Sequence, residues 1–411
     1  MTRTSGAGRL LMVMPYEQLV RKAVAAGFRV WSVWDPKLRD PEYLAKVAAH
    51  SEDLALVDFD DEAALRALVA RMAAEHRVDH VLHLGSEASM APVLAEAEAL
   101  GLSPNTAESV RLLNDKNAMR RLLNRNGVSV VRAREVPALA DVEPLLAEFG
   151  LPAVVKPGNS AGSKGIALVR GPADLAEWTE RVKAAGIEGP FIVEDYLEGP
   201  EFSVETLTVD GMHQVVGITA KQTSGAPGFV ETGHVHPAPL DPADAAAIRA
   251  TTTALLDLAG YRFGPAHTEV ILTPAGPRIV ESQARLGGDR IPLLVEVSGG
   301  FDLEAEIFRA LAGEPVTTPT PQRYASIGFF QLPAGRLESV DGLAELAERP
   351  YVHTVVFPYA PGDVLPHTTD SGSRHGYAVV DAASPAGAAE RIAAVQAGLR
   401  ATITATPEDT P

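Results

Sequence analysis

The opening hundred positions alternate two hydrophobic rhythms. Short apolar runs from Arg9 to Met14 and from Phe28 to Trp34 read as buried strands, and the stretch between them, from about Tyr16 to Ala26, spaces its apolar residues as a helix does. The pattern returns with a helix near Asp61 to Glu75 and a strand from His80 to Leu84 that ends in Gly85, Ser86 and Glu87, before another helical stretch. Alternating strands and helices predict a parallel sheet, and ligands of such sheets sit beyond the carboxyl ends of the strands, where Glu87 falls. No G-x-G-x-x-G accompanies the first unit, which counts against a dinucleotide site there.

Asp115 is placed to cap a helix from Lys116 to about Asn126, with Gly127 as its stop. Lys116 then lies in the first turn, where the helix dipole disfavours a cation unless an anion is near; alone it reads as a solvated lysine, and beside an anion as a phosphate contact. From Val128 to about Leu197 the spacing changes to a compact α+β module of lid size. Its expected elements are a strand near Val130, a helix from Val142 to Phe149, a strand from Ala153 to Lys156, a glycine-rich loop, a strand from Gly165 to Val169, a helix from Ala173 to Ala185 and a strand from Phe191 to Glu194. Longer strands follow from Glu201, then a Gly- and Thr-rich stretch from Thr223 to His236, a helix from Pro242 to Leu258, a hairpin and a helix from Leu303 to Leu311. The proline-rich TTPTPQ precedes a final segment, Tyr324 to Ile403, that reads as a separate subdomain, with a frayed tail after it. The expectation is a multidomain α/β and α+β chain divided at 1–105, 106–200, 201–320 and 321–411.

Composition narrows the classes. With 411 residues and 46% hydrophobic content the chain can bury several cores. A net charge of -17 without a basic run argues against a nucleic-acid partner. No apolar stretch reaches the length of a membrane span, and the start, MTRTSGAGRLLMVMPYEQ, lacks the long apolar core of a secretory signal, so a cytoplasmic enzyme without a membrane partner is expected. Cysteine is absent, which excludes disulfides, thiolate metal sites and cysteine nucleophiles and leaves oxygen and imidazole as metal ligands.

Two segments carry chemistry. VVKPGNSAGSKG, Val154 to Gly165, sets Lys156 on a strand before a loop of glycine and serine, closed by Lys164; glycines let backbone N–H groups approach anionic oxygens and the lysines supply charge. The spacing of Gly158 and Gly162 is wrong for G-x-x-x-x-G-K-[ST], and a strand follows the loop, so a hairpin folding over phosphates is expected rather than a P-loop. Farther on, HTEVILTPAGPRIVESQARLGG places Glu269 and Glu281 on a hairpin and follows them with Arg285. Two acids twelve residues apart also occur as plain sheet-surface charges, and Arg285 alone fits an interface salt bridge. A phosphate cradle combined with paired carboxylates on strands points to magnesium and ATP.

In order along the chain, Lys116, the VVKP strand, the loop, VEDYLEG with Glu201, and the Glu269/Glu281 pair resemble the ATP-grasp superfamily over most of the sequence. ETGH at Glu231 to His234, HTEV at His267 to Val270 and ESQARLGG at Glu281 to Gly288 resemble the L-amino-acid ligases, which join two amino acids into a dipeptide. The resemblance implies an N-terminal parallel-sheet domain, a small lid, a large ATP-grasp domain and a C-terminal subdomain. It implies that Lys116 and Lys156 contact the phosphates and that Ser160, Gly162 and Ser163 close over them. Backbone at Glu194 and Leu197 would meet adenine, and Glu201 the ribose. Glu269 and Glu281 would hold Mg2+, two ions in all with Mn2+ as an alternative; many superfamily members carry asparagine where this chain has Gln283, so its ligand role is left open. Arg285 would face the transferred phosphoryl group and the substrate carboxylate, while Glu87 and Glu231 would face the donor's amino group and His234 line its pocket, with His236 and His267 as neighbours. Asp289 stands where the pocket is shaped, and with Arg290 it suggests a polar donor. Lys221 reads as a surface lysine or a further phosphate contact. The implied reaction joins an amino acid to a second amino acid or amine through an acylphosphate, releasing ADP and phosphate, in a protein for which a homodimer is allowed. A γ-glutamyl-type ligase, a bicarbonate-using carboxylase and a non-catalytic nucleotide-binding regulator are the alternatives.

Overall fold

The computed structural model describes residues 7–158, 165–225 and 229–405. The N-terminal unit runs β1 (Gly8–Val13), α1 (Glu17–Ala25), β2 (Phe28–Trp34), α2 (Pro41–Ala48), β3 (Asp53–Leu56), α3 (Glu62–His76), β4 (His80–His83) and α4 (Glu87–Ala99). Its four strands are parallel in the order β3-β2-β1-β4. Buried Leu11, Val13, Val33 and Val81 pack one face against α3, while Leu10, Met12 and Phe28 face α1. Such near-continuous apolar strands are what a sheet covered on both faces requires.

Two helices, α5 (Ala107–Asn114) and α6 (Lys116–Arg125), lead to the lid. Asp115 caps α6, accepting from the backbone of Asn117 and Ala118 at 2.9 Å. The strand expected near Val130 is absent. Arg120 and Asn124 of α6 instead bind the Ser129 and Val131 carbonyls, Ser129 adopts φ +48°, and Val130 is exposed, so this stretch is a loop strapped to a helix. The lid is β5 (Ala133–Val136), α7 (Val142–Phe149), β6 (Ala153–Pro157), β7 (Ala167–Val169), α8 (Pro172–Ala184) and β8 (Phe191–Asp195), an antiparallel sheet ordered β5-β8-β6-β7 over its own core around Trp178, Phe191 and Val155.

The large sheet has eight strands. It is built from β9 (Glu201–Val209), β10 (Met212–Thr223), β11 (Glu231–His236), β12 (Gly264–Thr273) and β13 (Gly276–Gln283), with α9 (Pro242–Ala259), α10 (Ile291–Gly299) and α11 (Leu303–Leu311) packed on it. The last segment supplies β14 (Tyr324–Phe329), β15 (Gly335–Asp341), α12 (Leu343–Ala347), β16 (Val352–Val356), β17 (Val364–Leu365), β18 (Tyr377–Ala382), α13 (Pro385–Gly398) and β19 (Arg400–Thr404). Of these, β14, β18 and β16 extend the large sheet from β11, giving the order β13-β12-β9-β10-β11-β14-β18-β16, whereas β17, β15 and β19 form a three-stranded sheet.

One hydrophobic cluster joins Leu10, Leu19 and Val20 of the N-terminal unit to Leu207 of β9 and to Ile307 and Phe308 of α11. At its rim Lys22 of α1 bridges Asp302 and Glu304, each at 2.7 Å. The carboxyl ends of β1 and β4 are thereby held over the large sheet. Among the described residues no helix is long and apolar enough to cross a membrane.

Candidate active site

Glu269 and Glu281 are direct cross-strand partners on β12 and β13, which is why acids twelve residues apart become neighbours. Like charges at such a position repel, and the fold answers with cations from other elements. Lys221, from β10, lies 2.9 Å from Glu269, 2.7 Å from Glu201 and 3.6 Å from Glu231. Its side chain is only 4% exposed, so the surface reading of Lys221 is corrected: it is the buried hub of a carboxylate cluster. Burial opposes its charge, but Glu269, Glu201 and Glu231 outweigh burial and hold the ammonium well above its ordinary range. Glu269 is pushed up by burial and, more strongly, down by Lys221 and His267, ending well below the usual carboxylate range. Glu201 is raised, by burial first.

Lys116 lies 2.6 Å from Glu281, so the anion that its helix-terminal position calls for is in place. Burial disfavours this ammonium, yet Glu281 raises it, aided by Glu269 and Glu194. Lys116 therefore stands where lid and hairpin meet. On the lid side Lys156 pairs with Glu194 at 2.5 Å, and both are buried. Leu197 follows β8 and is partly buried. Ser160, Gly162 and Ser163, expected to close over phosphates, lie outside the described residues.

The donor set fits a divalent cation bound together with phosphates. Gln283 donates Nε2 to Glu281 at 2.8 Å, while its Oε1 is buried without a partner, an orphaned acceptor beside a carboxylate pair. Among the described residues no cluster of three or more His, Asp or Glu could hold a metal, so a cation held by Glu269 and Glu281 would need further oxygen ligands, such as those of a phosphate.

Behind the hairpin, Glu205 is fully buried and accepts from His267 Nδ1 at 2.5 Å and from the Gly287 backbone at 3.1 Å. Burial lowers His267, but Glu205 reverses this and raises it to about 9; its Nε2 then faces Glu269 at 3.5 Å. Position 287 must be glycine, because a Cβ there would lie 2.5 Å from Glu205 Oε1 and 2.8 Å from His267 Nδ1. Sequence reasoning treated His267 as a neighbour and missed Glu205, which sits in an otherwise apolar and hydroxylic strand, EFSVETLTV.

Past the hairpin a cleft of about 900 Å³ opens between the N-terminal unit and the large sheet. Glu87 begins α4, and the turn before it is set by buried His83, which accepts from Gly85 N at 3.2 Å and bonds Ser89 at 2.9 Å. Arg285 grips Glu87 with Nε and a terminal nitrogen, both 2.7 Å from Oε1, so two residues 198 positions apart meet in the cleft. Asp289 and Arg374 also line this cleft: Arg374 binds both Asp289 oxygens, at 2.5 and 2.9 Å, and His234, buried behind Asp289 and outside the cleft lining, brings Nε2 to 2.8 Å from it. Burial raises the Asp289 carboxyl, but His234 and Arg374 drive it well below the usual carboxylate range. Asp289 and Arg290 are consecutive non-glycine residues at φ +50° and +59°, strain that this bridging sustains. Arg374 also lies 3.6 Å over the Phe329 ring and donates to the Ser371 carbonyl, while Ser371 donates to Glu231. Arg374 and Ser371 were missed; their trace in the sequence is SGSRHG, a glycine-serine loop holding one arginine. His236 bonds Thr219 at 3.0 Å and does not line this cleft.

A lid sheet closing on an acidic hairpin across buried lysines defines an ATP-grasp enzyme, and an ATP-grasp domain matches residues 149–292. The chain is an ATP-grasp ligase with the L-amino acid ligase C-terminal domain 2, matched at residues 328–404. The crystal structure of an L-amino acid ligase from Bacillus licheniformis superposes with a TM-score of 0.83 at 26% identity, covering 98% of this chain and 100% of that one. Protein y4rH of Sinorhizobium fredii is 29% identical over 351 residues, 84% of this chain and 72% of its own length. The alanine–anticapsin ligase of Bacillus subtilis is 29% identical over 238 residues, 52% of this chain, and the match spans half of that ligase. Enzymes of this superfamily use ATP and Mg2+.

Proposed function

We propose that the chain condenses the carboxylate of an amino acid with the amine of a second amino acid or amine. The observation that carries this reading is the meeting of three charge systems: Lys156–Glu194 of the lid and Glu269/Glu281 of the hairpin converge on Lys116, and Arg285 follows two residues after Gln283 into the cleft with Glu87.

In this reading Lys116 and Lys156 exchange their carboxylate partners for phosphate oxygens, and Leu197, Glu194 and Glu201 hold the nucleoside. Glu269, Glu281 and Gln283 hold Mg2+, as two ions or with Mn2+ in its place, which neutralises phosphate charge. Arg285 orients the donor carboxylate toward the γ-phosphate, its planar fork being suited to an oxyanion. A carboxylate oxygen attacks the γ-phosphorus, the β–γ bond breaks, and ADP and an acylphosphate form. Glu87 and Glu231 face the donor's ammonium, and Asp289, held from behind by His234, forms the wall around its side chain. The acceptor amine then adds to the acyl carbon, and phosphate leaves with the donor's oxygen. The lid excludes water from the acylphosphate. A single chain presents all of these residues, and a homodimer is compatible with the scheme. The proposed setting is cytoplasmic, where ATP is available.

Asp289 was read as favouring a polar donor. Its carboxylate is already committed to Arg374 and His234, so it offers the donor a neutralised wall rather than a bare negative charge. A screen of paired amino acids, scored by phosphate release and product mass, tests the function. ADP formation that needs a donor, with an amide product that needs both partners, is expected. Release driven by bicarbonate alone contradicts the reading.

A further inference from the structure

The acids and arginines that line the cleft do not balance. Every acid there has a cationic partner: Glu87 has Arg285, Asp289 has Arg374, Glu304 has Lys22, and Glu17 has Arg21 at 3.5 Å and His50 at 3.2 Å. Among the described residues two cleft arginines, Arg39 and Arg290, have no carboxylate partner. Arg290 is on the same wall as Asp289 and gives its Nε to the Tyr377 hydroxyl at 2.8 Å. Arg39 comes from the N-terminal unit, after β2, and donates to the adjacent Leu38 carbonyl at 3.3 Å.

The Arg39 side chain is nonetheless given a platform. Its guanidinium carbon lies 5.4 Å from the Tyr43 ring centre and 5.9 Å from that of Trp34. Trp34 is wholly buried and its indole nitrogen donates to the Pro15 carbonyl at 2.9 Å; the Tyr43 hydroxyl accepts from Glu17 N at 3.3 Å. The same unit holds the start of α1, where Tyr16 provides no side-chain cap, and Met14, held at φ +55°. A pre-oriented guanidinium that faces a substrate cleft without a counter-charge is suited to a carboxylate arriving with the substrate.

We propose that Arg39 docks the acceptor, which consequently carries a carboxylate besides its reacting amine. This rests on the ligase reading above: the donor occupies the part of the cleft lined by Arg285, Glu87 and Asp289, and the acceptor approaches its acyl carbon from the side of Arg39.

The test separates the two half-reactions. Hydroxylamine traps the acylphosphate as a hydroxamate and carries no carboxylate, so it reports donor activation without the subsite. With the wild-type chain, an amino-acid acceptor is compared with its carboxamide. Arg39→Leu is expected to raise the acceptor's KM about tenfold or more and to erase the preference for the acid over the amide, the loss being confined to carboxylate-bearing acceptors. Arg39→Lys, which keeps the charge, is expected to restore part of the preference. An equal loss for acid, amide and hydroxylamine, an unchanged acceptor KM, or transfer of the whole effect to Arg290→Leu would overturn the assignment. If the wild-type chain forms no hydroxamate with any amino-acid donor, the ligase reading fails first and the subsite falls with it.

Discussion

The proposed nucleotide end and the proposed donor end of this site are assembled in opposite ways. At the first, charges sit on adjacent strands of one sheet: Glu201, Lys221, Glu269 and Glu281 come from β9, β10, β12 and β13, and register alone brings them together, with Glu231 of β11 at the border of the two ends. At the second, each contact spans a long loop of chain, with Glu87 reaching Arg285, and Asp289 reaching Arg374. A strand-borne cluster is rigid and expensive to disrupt, because its acids are half-buried around a buried lysine. A wall made of loops and arginine bridges sits on turns and tolerates change, which suits the part of a ligase that selects among side chains.

Breaking the strand-borne end should have the largest effect. Glu281→Gln is expected to lower donor-dependent ADP formation about 10³-fold or more by weakening the metal's hold, with the far-ultraviolet dichroism unchanged. Undiminished turnover in that variant would remove Glu281 from the site. Lys221→Met should cost about 3–5 kcal/mol of unfolding free energy, because the half-buried Glu201, Glu269 and Glu231 lose their shared, buried cation. Denaturant melts would show it, and the deficit should shrink as pH falls and the orphaned carboxylates take up protons.

The loop-borne end should respond in KM instead. Arg374→Met frees Asp289 and is expected to raise the donor's KM about tenfold while leaving the KM for ATP within about twofold, with partial recovery in Arg374→Lys. Equal shifts in both constants would mean that the two ends are not separable. The last expected effect is absent at neutral pH and appears only on acidification. Burial lowers His83 to about 3 and His236 to about 4, so both are neutral in the folded chain and protonate on unfolding near pH 6.5. Their contribution is complete above pH 6.5 and is lost as pH falls toward 4, at no more than about 1.4 kcal/mol per pH unit for each. His83→Gln should flatten that acid slope by about one such increment in melts between pH 6.5 and 4.

The same contrast explains what could be read from the chain in advance. Periodicity located the opening β-α-β unit, most of the lid and α11 because each is a local pattern. It misplaced the lid's first strand at Val130, since apolar residues that anchor a loop to a helix look like those of a strand. The pairing of β11 with β14, across ninety positions, leaves no local trace, so the continuity of the large sheet was invisible. Buried charges were equally hard to read: Lys221 is as polar on paper as any exposed lysine, and its burial follows from three acids on other strands. Arg374 has a partner 85 positions away and was not foreseen at all.

Transfer of the donor's oxygen tests the central claim, that lid, hairpin and Arg285 pass a γ-phosphoryl group to a carboxylate. With donor labelled by ¹⁸O in its carboxylate, the phosphate released during product formation should carry one labelled oxygen. Unlabelled phosphate, or label found in AMP, would contradict it.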